Sequence, residues 1–328
     1  MDERMSWPVH RFRAMGSDMA VWLDAAEATA RPLLTGAETT IARAERVLSR
    51  FDNQSELSRL NARPGQWTPV SMLLWDVVIK ALALAKSTGG LFDPTLLAAL
   101  EAAGYTRSFS ELERVAPPQS GRSKPGRWQE VELDPTRRAI RLPPRVRLDL
   151  GGIGKGHTAQ RVMDWLASWG PCLVDAGGDL TAGAAPRGMP GWPVAVAAPA
   201  PAGATASDLF HLWLAGATLA TSGIDYRRWQ QNGQSMHHLI DPRSGRPAAT
   251  DALTVTVLAP DAVRAEGWAT AALVAGRDEG LALLEKQELA AGVVDDAHHL
   301  WLTPAMTAHV VWPNISKKEA YGTLSGSR

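Results

Sequence analysis

Apolar residues recur at helical spacing twice in the first quarter of the chain. Ile41, Ala44, Val47 and Leu48 follow the polar stretch GAETT, and Leu74, Val78, Ala81, Leu82 and Ala85 precede STGG. A stripe repeating every three to four positions is one face of an amphipathic helix, so both stretches are predicted helices. Elsewhere the period falls to two. MAVWL (19–23), VELD (131–134), AIRL (139–142), VRLDL (146–150), CLVDAGG (172–178), WPVAVAA (192–198), LFHLWLA (209–215) and LTVTVLA (253–259) read as short strands. Helices are also predicted over 157–169 and 261–275. The chain is therefore mixed α and β, in an order too irregular for a simple βα repeat. No repeat or linker divides residues 1–328, which read as one domain. Loop insertions are expected near 116–128 and 181–206, where Pro, Gly and other turn formers replace periodicity, and a loose tail after Lys317.

Composition narrows the function classes. Thirty-four Lys and Arg balance 34 Asp and Glu, leaving no net field to draw in a polyanion, so nucleic-acid binding is disfavoured. No apolar run is long enough to span a membrane. The N-terminal MDERMSWPVH lacks an apolar signal core, so a cytoplasmic location is expected, or a periplasmic one if the start is truncated. The single cysteine, Cys172, sits in a buried-strand pattern and is expected to act as a small hydrophobe. The 13 tryptophans are scattered and read as packing residues.

The stretch LDLGGIGKGHTAQRV (148–162) carries the first chemistry. A P-loop needs Ser or Thr after its lysine, where this chain has Gly156, and the Rossmann fingerprint needs a third glycine where His157 stands. What remains is a glycine turn at a helix N-terminus with Lys155 inside it, suited to an anion, and Asp149 as a nearby hydrogen-bond acceptor. A phosphate beside a polar ring edge or hydroxyl is a nucleotide-like or flavin-like ligand. TGGLFDPT (88–95) puts polar groups beside Phe92 at a helix end. LATSGIDYRRW and HHLIDPRSGRP place Ser222, Tyr226, Arg227, His238, Asp241 and Arg243 in loops. In VRAEGWATAALVAG, Glu266 and Thr270 stand four residues apart on one helix face, an edge suited to a hard cation.

Taken in order, AMGS (14–17), LSRFDNQSELSRLN (48–61), TGGLFDPT (88–95), DLGGIGKG (149–156), VDAGGD (174–179), ATSGIDYRRW (220–229), HHLIDPRSG (237–245) and AEGWAT (265–270) resemble the ApbE family of flavin transferases, the FAD:protein FMN transferases. The resemblance implies an α+β fold of mainly antiparallel sheets with packed helices, T-fold-like in architecture. It also implies a reaction: FAD is cleaved at its pyrophosphate, FMN is joined through phosphate to a Ser or Thr hydroxyl of a target protein, and AMP leaves. The expected partner is a protein with a Ser/Thr-Gly-Ala-Ser/Thr-like motif, and the expected cofactor is Mg²⁺.

By the same resemblance, Asp149 and Lys155 contact FAD, with Met15, Phe51, Leu91, Phe92, Asp93, Leu239 and Ile240 around it. The Gly152 carbonyl, Glu266 and Thr270 are the metal ligands. Phosphoryl transfer rests on positioning and charge neutralisation, with help from a base near the acceptor hydroxyl. His238 is the candidate base, oriented by Asp241. The chain departs from the family at Glu266, usually Asp, at Gly154, usually Ala, and at Phe51, frequently Tyr. Two alternatives use the same residues: an FAD pyrophosphatase, in which water replaces the protein hydroxyl, and a flavin-binding protein without turnover.

Overall fold

The computed structural model of the chain describes residues 7–107, 126–200, 207–231 and 233–312. At its centre is an eight-stranded sheet. The strand order is Val9–Ala14, Ser17–Leu23, Cys172–Ala176, Leu180–Ala182, Ala217–Gly223, Ala252–Ala259, Ala290–Asp295 and Leu300–Leu302, every neighbour antiparallel. Side chains alternate across this sheet, as the strand period requires. Cys172, Val174 and Ala176 pack on Leu34, Ala37 and Ile41 of the helix Glu27–Leu48 and on Val162 and Leu166 of the helix Gly154–Leu166. Leu173 points the other way, into a cluster with Trp192, Val194, Phe210 and Leu212. Those four belong to a three-stranded sheet ordered Val310–Trp312, Asp208–Leu214, Trp192–Ala197. The fold is α+β, with helices on one face of the large sheet and a small sheet on the other.

The second half of the helical layer contains Met72–Ser87 and Ala262–Ala275. They bury Leu74, Val78, Ala81, Ala265, Trp268 and Ala272 against Val255, Val257, Ala291 and Val293 of the sheet. The two helices approach so closely at Gly267 that a Cβ there would lie 2.0 Å from Leu84 Cδ2. Cys172 is fully buried in its strand, and burial pushes its thiol up to about 12, which makes it an inert packing residue.

Several elements differ from the pattern-based expectations. The first helix begins at Glu27, well before Ile41. Its buried positions Ala30, Leu34, Ala37, Ile41, Ala44 and Leu48 keep helical spacing throughout, but Pro32, Gly36 and the threonines between them hide it. The helix expected over 157–169 runs instead from Gly154 to Leu166. VRLDL (146–150) is not a strand. Leu148 N–H donates to Asn61 Oδ1 at 2.7 Å and its carbonyl accepts from Asn61 Nδ2 at 2.9 Å, so one side-chain amide takes the place of a neighbouring strand. The stretch 181–206 is not a plain loop, because the end of Leu180–Ala182 and all of Trp192–Ala197 lie within it. Most of 116–128, residues 201–206 and the tail after Lys317 lie outside the described residues.

Candidate active site

The glycine turn is built from both sides. Asp149 N–H donates to the Pro94 carbonyl at 2.8 Å, and the Leu150 carbonyl then accepts from Ile153 at 3.2 Å and Gly154 at 2.7 Å, which winds the chain directly into the helix. Gly152 must be small because a Cβ there would meet Phe92 Cε2 at 3.0 Å. Asp149 is held by Arg50, whose Nε lies 2.6 Å from its Oδ2, and it accepts from Gly151 N–H at 3.0 Å. The Arg50 guanidinium lies over Phe51 at 4.1 Å and Tyr105 at 4.6 Å, and its Nη2 is buried with no hydrogen-bond partner.

The same helix start holds Glu266. Its Oε1 accepts from Gly156 N–H at 3.1 Å, and a Cβ on Gly156 would sit 2.5 Å from its Oε2. Glycine at 156 is therefore what lets the carboxylate reach the helix end, where the dipole favours negative charge. The Glu266 carboxyl also shares a hydrogen bond with that of Asp179. Burial holds this carboxyl well above the usual carboxylate range, and the facing Asp179 raises it further, while Lys155 acts in the opposite sense. Asp179 is also raised, by burial first, although Lys155 and a 2.9 Å bond from Thr221 N–H favour its charge. Thr270 Oγ1, one turn along from Glu266, lies 2.9 Å from Ser222 Oγ. Lys155 forms no ion pair among the described residues, so its amine remains available across from these carboxyls.

His238 faces the cavity and His237 does not. His237 lies 3.1 Å from the Ala248 carbonyl, a packing contact. The His238 Nδ1 is buried without a hydrogen-bond partner among the described residues, its ring meets Tyr105 edge-on at 6.3 Å, and a ring N–H donates to the Arg227 carbonyl. Burial first, then the charges of Arg227 and Lys155, hold its imidazole well below the usual histidine range. It is neutral at neutral pH, the form a base needs. Asp241 does not orient it. The Asp241 carboxylate accepts from Arg243 N–H at 2.8 Å and from Arg243 Nε at 3.0 Å, closing its own turn, and it does not line the cavity.

One cavity of about 1740 Å³ gathers the remaining predicted site residues: Met15, Phe51, Leu91, Phe92, Asp93, Asp149, Gly152, Lys155, His238, Leu239, Ile240, Glu266 and Thr270. That exceeds the roughly 300–1,000 Å³ of a drug-sized pocket and suits a dinucleotide with a second reactant. Asp93 is buried and accepts from Thr95 N–H and Oγ1 at 2.7 and 2.5 Å and from the Trp128 backbone N–H. Its carboxyl is raised by burial. Pattern reasoning missed Arg50, Tyr105, Asp175 and Asp179, all in the lining. Arg50, Asp175 and Asp179 lie inside the stretches LSRFDNQSELSRLN and VDAGGD, a signal that Tyr105 lacks. The described lining carries eight carboxyls (Asp18, Glu45, Asp93, Asp149, Asp175, Asp179, Asp225, Glu266) against five cationic side chains (Arg13, Arg50, Lys155, Arg227, Arg228). A phosphate ligand entering this wall needs extra positive charge between itself and the carboxyls.

Fold and cavity thus bring a glycine turn, a buried histidine and a carboxyl pair around one nucleotide-sized cavity. The ApbE family model matches residues 15–293, and the chain belongs to the ApbE family. It is similar to the FAD:protein FMN transferase of Salmonella typhimurium, 27% identical over 293 residues that cover 86% of this chain and 83% of the relative. It is also similar to that of Haemophilus influenzae, 29% identical over 80% of this chain and 78% of the relative. Among solved structures, the Pseudomonas stutzeri flavinyl transferase ApbE in its apo form superposes with a TM-score of 0.78 at 26% identity, covering 94% of this chain and 98% of that one. The ApbE protein of Thermotoga maritima shares the fold, with a TM-score of 0.83 at 24% identity over 93% and 99% of the two chains. No described helix is long and apolar enough to cross a membrane.

Proposed function

We propose that this enzyme transfers the FMN half of FAD to a Ser or Thr hydroxyl of a target protein and releases AMP, with Mg²⁺ as cofactor. The observation that supports this most is the convergence of Lys155, His238 and the Glu266–Asp179 pair on one cavity at the N-terminus of Gly154–Leu166. Among the described residues no cluster of three or more His, Cys, Asp or Glu has metal-site geometry. The donor set fits a hard cation nonetheless, because such ions take oxygens, including carbonyls and hydroxyls, and complete their shell with water and phosphate. Glu266 and Asp179 are buried carboxyls that face each other, a cost that a divalent charge removes. Glu266, Thr270 and the Gly152 carbonyl would hold the ion, with Asp179 beside them. When bound, it supplies charge neutralisation for the pyrophosphate and for the departing AMP.

The chain's own residues do the rest. Lys155 and the helix start bind the phosphates, while Phe51, Leu91, Phe92 and Ile240 exclude water around the rings. The acceptor oxygen attacks the FMN phosphorus as the bond from that phosphorus to the bridging oxygen breaks, and the oxygen leaves with AMP. The acceptor proton passes to His238, whose Nδ1 has no other partner among the described residues. In-gel flavin fluorescence after denaturation tests the reading: a target incubated with enzyme, FAD and Mg²⁺ becomes a fluorescent band, and replacing its acceptor Ser or Thr by Ala abolishes it. A dark band with free FMN in solution assigns pyrophosphatase activity instead.

A further inference from the structure

The strand Trp192–Ala197 is the edge of the three-stranded sheet, paired on one side with Asp208–Leu214 and with no described strand on the other. Residues Val194 to Pro199 line the same cavity as Lys155, His238 and Glu266. An unpaired strand edge is a row of free N–H and C=O groups that templates an added strand. Here that row forms part of the cavity wall.

The direction of those groups follows from the register. Ala198 N–H donates to the Ser207 carbonyl at 2.8 Å, so position 198 turns its backbone toward the partner strand. The register shift between Val196 and Ala197 leaves Leu209 as the extra residue on the partner, so the alternation along Trp192–Ala198 is unbroken. Val194 and Val196 then face the partner, and Pro193, Ala195 and Ala197 face the open side. Pro193 agrees, because a proline with no N–H costs no ladder bond only when it points away from the partner. Ala195 and Ala197 are exposed, and their small side chains leave room for a close chain. Among the described residues the open edge therefore offers two N–H donors and two carbonyls, beginning just past a proline that blocks pairing upstream.

Resting on the transferase reading, we propose that the acceptor segment of the target protein docks as an extended strand along Ala195–Ala197, which carries its hydroxyl into the cavity. The occupant is an extended peptide. The small side chains of Ala195 and Ala197 let its backbone approach closely enough to pair. This assigns target docking to backbone pairing, and FAD binding to other walls.

The test uses a fluorescent peptide with the Ser/Thr-Gly-Ala-Ser/Thr-like motif, binding to the FAD-loaded full-length enzyme by anisotropy. Single N-methyl groups are placed at successive peptide amides. Strand addition predicts at least tenfold weaker binding at every second amide and unchanged binding between. Ala195→Pro removes an outward N–H and should weaken the unmethylated peptide similarly, with FAD affinity and melting temperature kept at parent values. A scan without alternation, an Ala195→Pro enzyme that binds peptide as the parent does, or a parent that does not bind the peptide each overturns the proposal. Flavin attachment to the full-length target is scored separately. If that persists while the peptide pattern fails, docking lies elsewhere and the transferase reading stands.

Discussion

Replacing Glu266 by Gln should separate the two roles of that buried carboxyl. In the ion-free protein Glu266 faces Asp179 and hydrogen-bonds to it, and its Oε1 accepts from Gly156 N–H. The amide keeps the size and the oxygen that Gly156 needs, and its NH₂ can replace the carboxyl hydrogen bond to Asp179. The ion-free variant should therefore melt close to the parent. The Mg²⁺ response should separate the two. A ligand at 100 times its Kd stabilises the folded state by about 2.7 kcal/mol. At roughly 2 °C per kcal/mol for a large domain, that is about 5 °C in the parent and close to nothing in Glu266→Gln. Differential scanning calorimetry across a Mg²⁺ series, with and without FAD, gives both numbers. A variant that keeps the parent's Mg²⁺ shift would refute the assignment of this helix to the ion.

Five further outcomes follow from the geometry. Lys155→Ala should weaken FAD binding by roughly 10- to 150-fold, the loss of one charge-assisted phosphate contact, with little change in melting temperature; titration calorimetry reads this. His238→Ala should lower transfer by about 10²–10⁴-fold with FAD affinity retained. Because burial, Arg227 and Lys155 depress His238, transfer by the parent should stay flat through neutral pH and fall only below the usual histidine range, measured as initial rate against pH. Gly156→Ala should cost about 1–3 kcal/mol in denaturant unfolding, since its Cβ would meet the Glu266 carboxylate at 2.5 Å. His157 is buried, with Nε2 2.7 Å from Asp76, and burial depresses its pKa. A base depressed in the folded state contributes stability above its unfolded pKa of ~6.5 that is lost as pH falls through the folded value. Thermal melts of His157→Gln should show a shallower loss on acidification than the parent.

The residues that pattern reasoning found and those it missed differ in how local their signals are. Glu266 and Thr270 share one turn of one helix, and Lys155 sits in a glycine turn, so spacing marks them as candidates to which the family resemblance gives roles. Asp179, Arg50 and Tyr105 reach the cavity from three separate segments, and only the folded chain joins them. Asp241 shows the opposite failure. It stands three positions from His238 in sequence, yet its turn points the carboxylate at Arg243. VRLDL looked like a strand because extended backbone and alternation were real, while the pairing partner was the side chain of Asn61, 87 positions away. The strand Ala290–Asp295 escaped notice because all six residues are buried, so no polar positions mark its alternation.

The central claim is that one cavity cleaves FAD and delivers its FMN half to a protein hydroxyl. Counting AMP released against flavin bound to the target, with FAD and Mg²⁺ at saturation, tests it most directly. The account predicts one AMP for each covalently attached flavin, and no free FMN. AMP that accumulates with free FMN while the target mass stays unchanged would contradict it.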